Sequence, residues 1–188
     1  MTKSTMLSLA GLKAPSLLIL LASGLGHASA QDVTHERLIN AAKEPQNWLL
    51  PYQTYEALNY STLSQINKTN VANLKVKFLH SIGGMNTATP TGAAPTLQST
   101  PLVNEGFMYV HNGWGQVLKI DLRSGDHGQI VWLHDPKVAN PGAMRGSVAL
   151  LGNHLYHNTS GRNPRLFKID VNTGKTIWDV SILPPKEE

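Results

Sequence analysis

The chain has no cysteine among its 188 residues, which excludes disulfides, zinc–thiolate sites and cysteine nucleophiles together. Aromatic residues are scarce at 6% and charged residues make up only 15%, whereas glycine (16) and proline (11) are frequent. That balance favours turn-rich β structure over a helical bundle. Lysine and arginine outnumber acidic residues 16 to 12, giving a pI near 9.4, but the basic residues are scattered. A nucleic-acid-binding stripe is therefore not formed, and no nucleic acid is expected as a partner. Nucleophile elbows, phosphate-binding glycine loops and dinucleotide fingerprints are all missing.

Residues 1–30 have the layout of a secretory signal. Lys3 and Lys13 provide a positive start, Leu17 to Ala22 an apolar run, and Ala28-Ser29-Ala30 a small-residue cleavage pattern. The apolar run is too short to span a bilayer comfortably, so the mature chain is expected to begin after Ala30, without a membrane span. This implies an exported protein.

Two further regions follow. Residues 31–73 read as an irregular and partly helical segment: Arg37 to Ala42 suggests a short helix that Glu44-Pro45 stops, and Gln65 to Val71 a turn of helix entering a strand. Residues 74–188 read as β structure. Leu74 to Ile82 alternates apolar and polar residues, the period of a half-buried strand. Beyond a Gly/Thr/Ala/Pro-rich loop at 83–96, short strands and turn signals alternate every ten residues or so. Thr100 to His111 forms one hairpin about Asn104-Glu105-Gly106, and Val117 to Asp121 pairs with Ile130 to Leu133. The order then recurs, with Ser147 to His157 turning at Gly152-Asn153 and Arg165 to Trp178 closing the series.

The recurrence is a repeat. Tyr109 corresponds to Tyr156, Asp121 to Asp170 and Trp132 to Trp178, at offsets of 46 to 49 residues. Both copies contain Lys-Ile-Asp, a Ser/Thr-Gly and a closing tryptophan. Four short antiparallel strands in such a period meet the requirement for a propeller blade. Asp121, Gly125 and Trp132, then Asp170, Thr173, Gly174 and Trp178, are assigned structural parts: the aspartate holds the reversal, glycine takes positive φ and tryptophan wedges between sheets. Two repeats cannot close a ring, so a longer protein is expected. His154 and His157 are three residues apart, which on a strand sends them to opposite faces and argues against a metal pair. His111 and His134 have no partner visible in the local spacing.

The hairpin Lys168-Ile169-Asp170-Val171-Asn172-Thr173-Gly174-Lys175-Thr176-Ile177-Trp178 resembles the tryptophan-docking repeat of the pyrroloquinoline quinone (PQQ) dependent alcohol dehydrogenases. Lys168 stands where that family usually has alanine. Asn47-Trp48 with Tyr52 and Tyr55, then Gln65 to Leu74, are similar to its N-terminal segment. Leu97-Gln98-Ser99-Thr100-Pro101-Leu102-Val103 with Gly106 to Val110 resembles its first-blade signature. The resemblance implies an all-β fold: a partial propeller of about two blades out of eight, with a short N-terminal helical or irregular segment.

It also implies PQQ with a calcium or lanthanide ion in the complete protein, an alcohol or sugar substrate, and a cytochrome or quinone electron acceptor. Two positions carry over as cofactor contacts. Gln98 stands where the family has a glutamate, and it retains hydrogen-bonding capacity without charge. Arg145 matches an arginine beside the quinone, where a planar fork suits a carboxylate or quinone oxygen. The adjacent cysteines that precede this arginine in many members are replaced here by Asn140 to Met144. The family's metal ligands and its general-base aspartate correspond to later blades. The fragment is therefore expected to be inactive alone and to bind no cofactor tightly. The alternative that the repeat leaves open is a non-catalytic propeller module for binding or scaffolding.

Overall fold

The computed structural model describes residues 31–83, 98–123, 128–138, 147–161 and 163–184; the expected signal, Gly125 and Arg145 lie outside them. Regular secondary structure in the described residues is mostly β, with one short α-helix and two 3-10 turns beside the strands. Eight strands form two antiparallel four-stranded sheets in simple up-and-down order. Sheet 1 contains β1 (Leu102–Asn104), β2 (Phe107–His111), β3 (Val117–Asp121) and β4 (Gln129–His134), and sheet 2 contains β5 (Ala149–Leu151), β6 (His154–Asn158), β7 (Arg165–Asp170) and β8 (Thr176–Ser181).

Local sequence dictates the hairpins. Between β1 and β2, Glu105 and Gly106 both take positive φ (50° and 77°), the backbone that a two-residue type I′ turn requires. Between β5 and β6, glycine supplies the positive φ at position 152, 62°. The repeat extends to irregularities: the ladder shifts register between Lys119 and Ile120 in sheet 1, and between Lys168 and Ile169 in sheet 2. A bulge at the same place strengthens the twist of both sheets in the same way.

The sheets pack face to face. One cluster contains Leu102, Phe107, Tyr109 and Val117 of sheet 1 with Leu150, Leu155, Phe167 and Ile169 of sheet 2, joined by Val33, Leu38 and Leu49 of the N-terminal segment. A second cluster of Val110, Leu118 and Ile120 on the far face of sheet 1 is covered by Phe78 and Ile82. Strand β3 is thus buried along its whole length, whereas β8, on the outer edge, is mostly exposed.

The N-terminal segment straps the two sheets together. Val33 exchanges backbone hydrogen bonds with Gly152 of sheet 2 (2.9 and 2.7 Å), and Trp48 does so with Val103 at the edge of β1 (2.8 and 2.9 Å). Between them α1 (His35–Ile39) starts earlier than the sequence suggests, because the Thr34 hydroxyl caps it by accepting the Arg37 N–H. Arg37 then binds both carboxylate oxygens of Glu44, at 2.9 and 2.6 Å, and the Asn104 side chain at 3.0 Å. Burial opposes its charge, but the Glu44 hydrogen bonds prevail and raise its pKa, while they lower that of Glu44.

Two local expectations differ from the structure. Gln65 to Val71 forms turns, followed by a 3-10 helix at Val71–Asn73. Leu74 to Ile82 forms no strand. Its alternation survives only from Phe78 to Ile82, where both of those residues lie on the sheet, whereas Leu74 and Val76 of the same apolar series are exposed; the segment has no ladder partner among the described residues, and an unpaired strand is not stable in water.

Candidate functional site

The clearest built site is where one sheet meets the turn of the next. In the turn after β7, Asp170 Oδ1 accepts the N–H groups of Asn172 (3.0 Å) and Thr173 (2.8 Å) and the Thr173 hydroxyl (2.9 Å). Burial acts against this carboxylate, but those hydrogen bonds outweigh it and keep its pKa below the ordinary value. Gly174 N–H returns to the Asp170 carbonyl at 2.9 Å with φ of 72°. The Trp132 ring of sheet 1 occupies the space beside Gly174, and its Nε1 donates to the Val171 carbonyl at 3.1 Å.

A second donor reaches that carbonyl. Lys119 lies between Tyr109 and Trp132 in the cross-strand row of sheet 1; its Nζ is 3.1 Å from Val171 O and 4.1 Å from the centre of the Phe107 ring. Burial, together with the charge of Arg123, lowers the lysine pKa to about 8, against the opposing pull of Asp121 and Asp170. The same row recurs in sheet 2 as Tyr156, Lys168 and Trp178. Tyrosine and tryptophan centroids are 6.2 Å apart in the first row and 6.3 Å apart in the second. Trp178, on the outer face of sheet 2, is 38% exposed.

In sheet 1 the turn is longer. Asp121 binds the Arg123 N–H at 2.8 Å and its guanidinium at 2.6 Å, and the arginine bonds hold its pKa down against burial. Gly128, with φ of 80°, donates to the Asp121 carbonyl at 2.7 Å, the bond that Gly174 makes to Asp170. Phe78 lies against Gly128 as Trp132 lies against Gly174: an added Cβ would fall 2.5 Å from Phe78 and 2.7 Å from Trp132 respectively. The glycine in the corresponding role is therefore three residues beyond Gly125, displaced by the insertion in the turn.

Of the two expected cofactor contacts, Gln98 is exposed just ahead of β1, and the neighbouring Ser99 hydroxyl is buried without a hydrogen-bond partner among the described residues. Arg145 precedes β5 by the same four residues that separate Gln98 from β1. The Ser147 hydroxyl donates to the Thr100 carbonyl at 2.6 Å, so the segments leading into the first strand of each sheet are tied together two residues after Gln98 and Arg145. No cluster of three or more His, Asp or Glu side chains able to hold a metal occurs among the described residues.

The contact that sequence reasoning missed is between histidines. His111 and His157 pack with ring centroids 5.6 Å apart, and they come from different sheets, so no local spacing announces them.

Two repeated four-stranded sheets, joined by aromatic-on-glycine docking, define this chain as part of a β-propeller. The family description "Glucose/ethanol/alcohol dehydrogenase, beta-propeller domain", the PQQ family, fits residues 48–161, and the chain belongs to that family. It is 33% identical over 171 residues to the dehydrogenase subunit of alcohol dehydrogenase (quinone) from Komagataeibacter europaeus, covering 86% of this chain and 21% of the relative. It is 30% identical to subunit 1 of methanol dehydrogenase [cytochrome c] from Methylobacterium organophilum, covering 88% of this chain and 26% of the relative. The crystal structure of quinohemoprotein alcohol dehydrogenase from Comamonas testosteroni superposes with a TM-score of 0.70 at 27% identity, covering 86% of this chain and 23% of that one. The chain thus spans about a fifth to a quarter of the length of these relatives.

Proposed function

We propose that this chain supplies the first two blades of a periplasmic PQQ-dependent dehydrogenase that oxidises an alcohol or sugar, with a cytochrome or quinone as electron acceptor. The observation that carries the reading is the Ser147 to Thr100 hydrogen bond, which joins the leading ends of β1 and β5 at equivalent points of the repeat. Blades are arranged around a central channel, and ligand contacts drawn from equivalent points of successive blades converge on one centre.

The residues fit an oxygen-rich quinone. Gln98 offers an exposed amide, Ser99 a buried hydroxyl without a partner among the described residues, and Arg145 a fork for a carboxylate. When bound, PQQ supplies the two-electron acceptor for the alcohol's hydride. This chain's own share is to hold the cofactor's edge: Gln98 and Ser99 by neutral hydrogen bonds, Arg145 by charge. The calcium or lanthanide ion and the general base that activates the alcohol belong to other blades of the complete protein, and these two blades bind the cofactor only weakly by themselves.

The test replaces the matching segment of the Komagataeibacter europaeus subunit with this chain and follows alcohol-dependent dye reduction as PQQ is titrated. Gln98→Ala and Arg145→Ala should each raise the PQQ concentration for half-maximal activity at least tenfold. An active chimaera indifferent to both substitutions would overturn the assignment.

A further inference from the structure

Three buried imidazoles lie where the two sheets meet, and both sheets contribute. His157, on β6 of sheet 2, has Nε2 2.9 Å from the carbonyl of Gly115, in the loop between β2 and β3 of sheet 1. His134, on β4 of sheet 1, has Nδ1 3.1 Å from the carbonyl of Gly174, in the turn between β7 and β8 of sheet 2. A carbonyl can only accept, so each of these nitrogens carries the proton and each neutral ring donates to the opposite sheet. The contacts are reciprocal. His111 packs against His157, while its own Nδ1 lies 3.1 Å from the Asn112 carbonyl.

The second nitrogen of each donor ring decides what acid does. His134 Nε2 is buried and has no hydrogen-bond partner among the described residues. A proton added there creates a buried N–H without an acceptor, beside the edge-on Phe167 ring 5.6 Å away. A proton added to His157 creates a buried cation next to another imidazole. Both charges would be buried, where an ion is costly.

We propose that the reciprocal histidine contacts form an acid-released latch, holding sheet 2 on sheet 1 while His134 and His157 are neutral and letting the sheets part when they are protonated. The groups bearing on the rings are few. The Gly174 carbonyl and Asp135 favour the protonated form of His134, and the Gly115 carbonyl that of His157, whereas His111 and His134 oppose protonation of His157. Burial dominates at both, and with His111 it lowers the His157 pKa to about 4. Rings exposed by separation take up protons near the ordinary 6.5, so the parted form binds more protons than the closed one. The latch is then complete above about pH 6.5 and is lost as the pH falls towards about 4.

The Trp132 indole N–H, bonded to Val171 across the same interface, reports closure. In the full chain its protection from solvent exchange should fall at least tenfold between pH 7 and pH 4.5. In the double variant His134→Gln/His157→Gln, whose amides donate but do not titrate, the fall should disappear. Unchanged wild-type protection at pH 4.5, or an equal fall in the double variant, overturns the proposal. Should the double variant fail to fold at pH 7, NMR titration of the wild-type rings decides. Midpoints well below 6.5, coincident with broadening of the Trp132 signal, support the latch, and midpoints at the ordinary value overturn it.

Discussion

Trp132 occupies the space that a side chain at Gly174 would need: a Cβ there would lie 2.7 Å from the indole ring. The tryptophan comes from one sheet and the glycine from the next, so this contact sets how closely successive blades approach.

Gly174→Ala therefore combines a displaced indole with an L-residue at φ of 72°. The expected loss is about 3 kcal/mol, read as a lowered urea midpoint. Gly152→Ala is the control. It carries a similar strain, φ of 62°, but its Cβ would meet nothing closer than 3.7 Å, so about 1 kcal/mol is expected.

Lys119 provides a prediction in alkaline solution. Its folded pKa of about 8 lies below the ordinary 10.5, so the unfolded chain binds the proton more tightly. The penalty is fully present below pH 8 and is relieved as the pH rises towards 10.5. Wild-type stability should climb by roughly 1–2 kcal/mol between pH 8 and 10, after allowance for solvent screening. Lys119→Met, which leaves Val171 O bonded to Trp132, should abolish the climb. Urea unfolding at stepped pH measures both.

Tyr109 is fully buried, yet its hydroxyl has no hydrogen-bond partner among the described residues. Burial accordingly pushes the phenol pKa far up. Removing an unsatisfied polar atom while preserving the ring should stabilise, so Tyr109→Phe is expected to gain about 1 kcal/mol in thermal or urea unfolding. A loss of similar size would show that the hydroxyl has a partner in solution.

What the sequence discloses is what is local. Asn104-Glu105-Gly106 and Gly152-Asn153 announce their turns because positive φ selects the residues there, and the recurrence of Lys-Ile-Asp and tryptophan exposes the blade. Leu74 to Ile82 misleads because only Phe78 and Ile82 of its apolar series find a face to cover, and alternation says nothing of a partner strand. Gly128 is obscured by an insertion that moves the docking glycine off the aligned position. The cross-sheet pair of His111 and His157 is set by tertiary contacts, and so leaves no trace in spacing. Gln98 could be singled out only through the family signature around it; nothing in its own neighbourhood marks it as a ligand group.

The proposed role of these residues is to hold one edge of a quinone site and not to supply the groups that perform the oxidation. The most direct measurement titrates the purified chain with PQQ and calcium, following quinone absorbance and alcohol-dependent dye reduction. No dye reduction is expected, and only weak perturbation of the quinone spectrum, diminished in Gln98→Ala and Arg145→Ala. Sustained alcohol-dependent turnover by these 188 residues would contradict it.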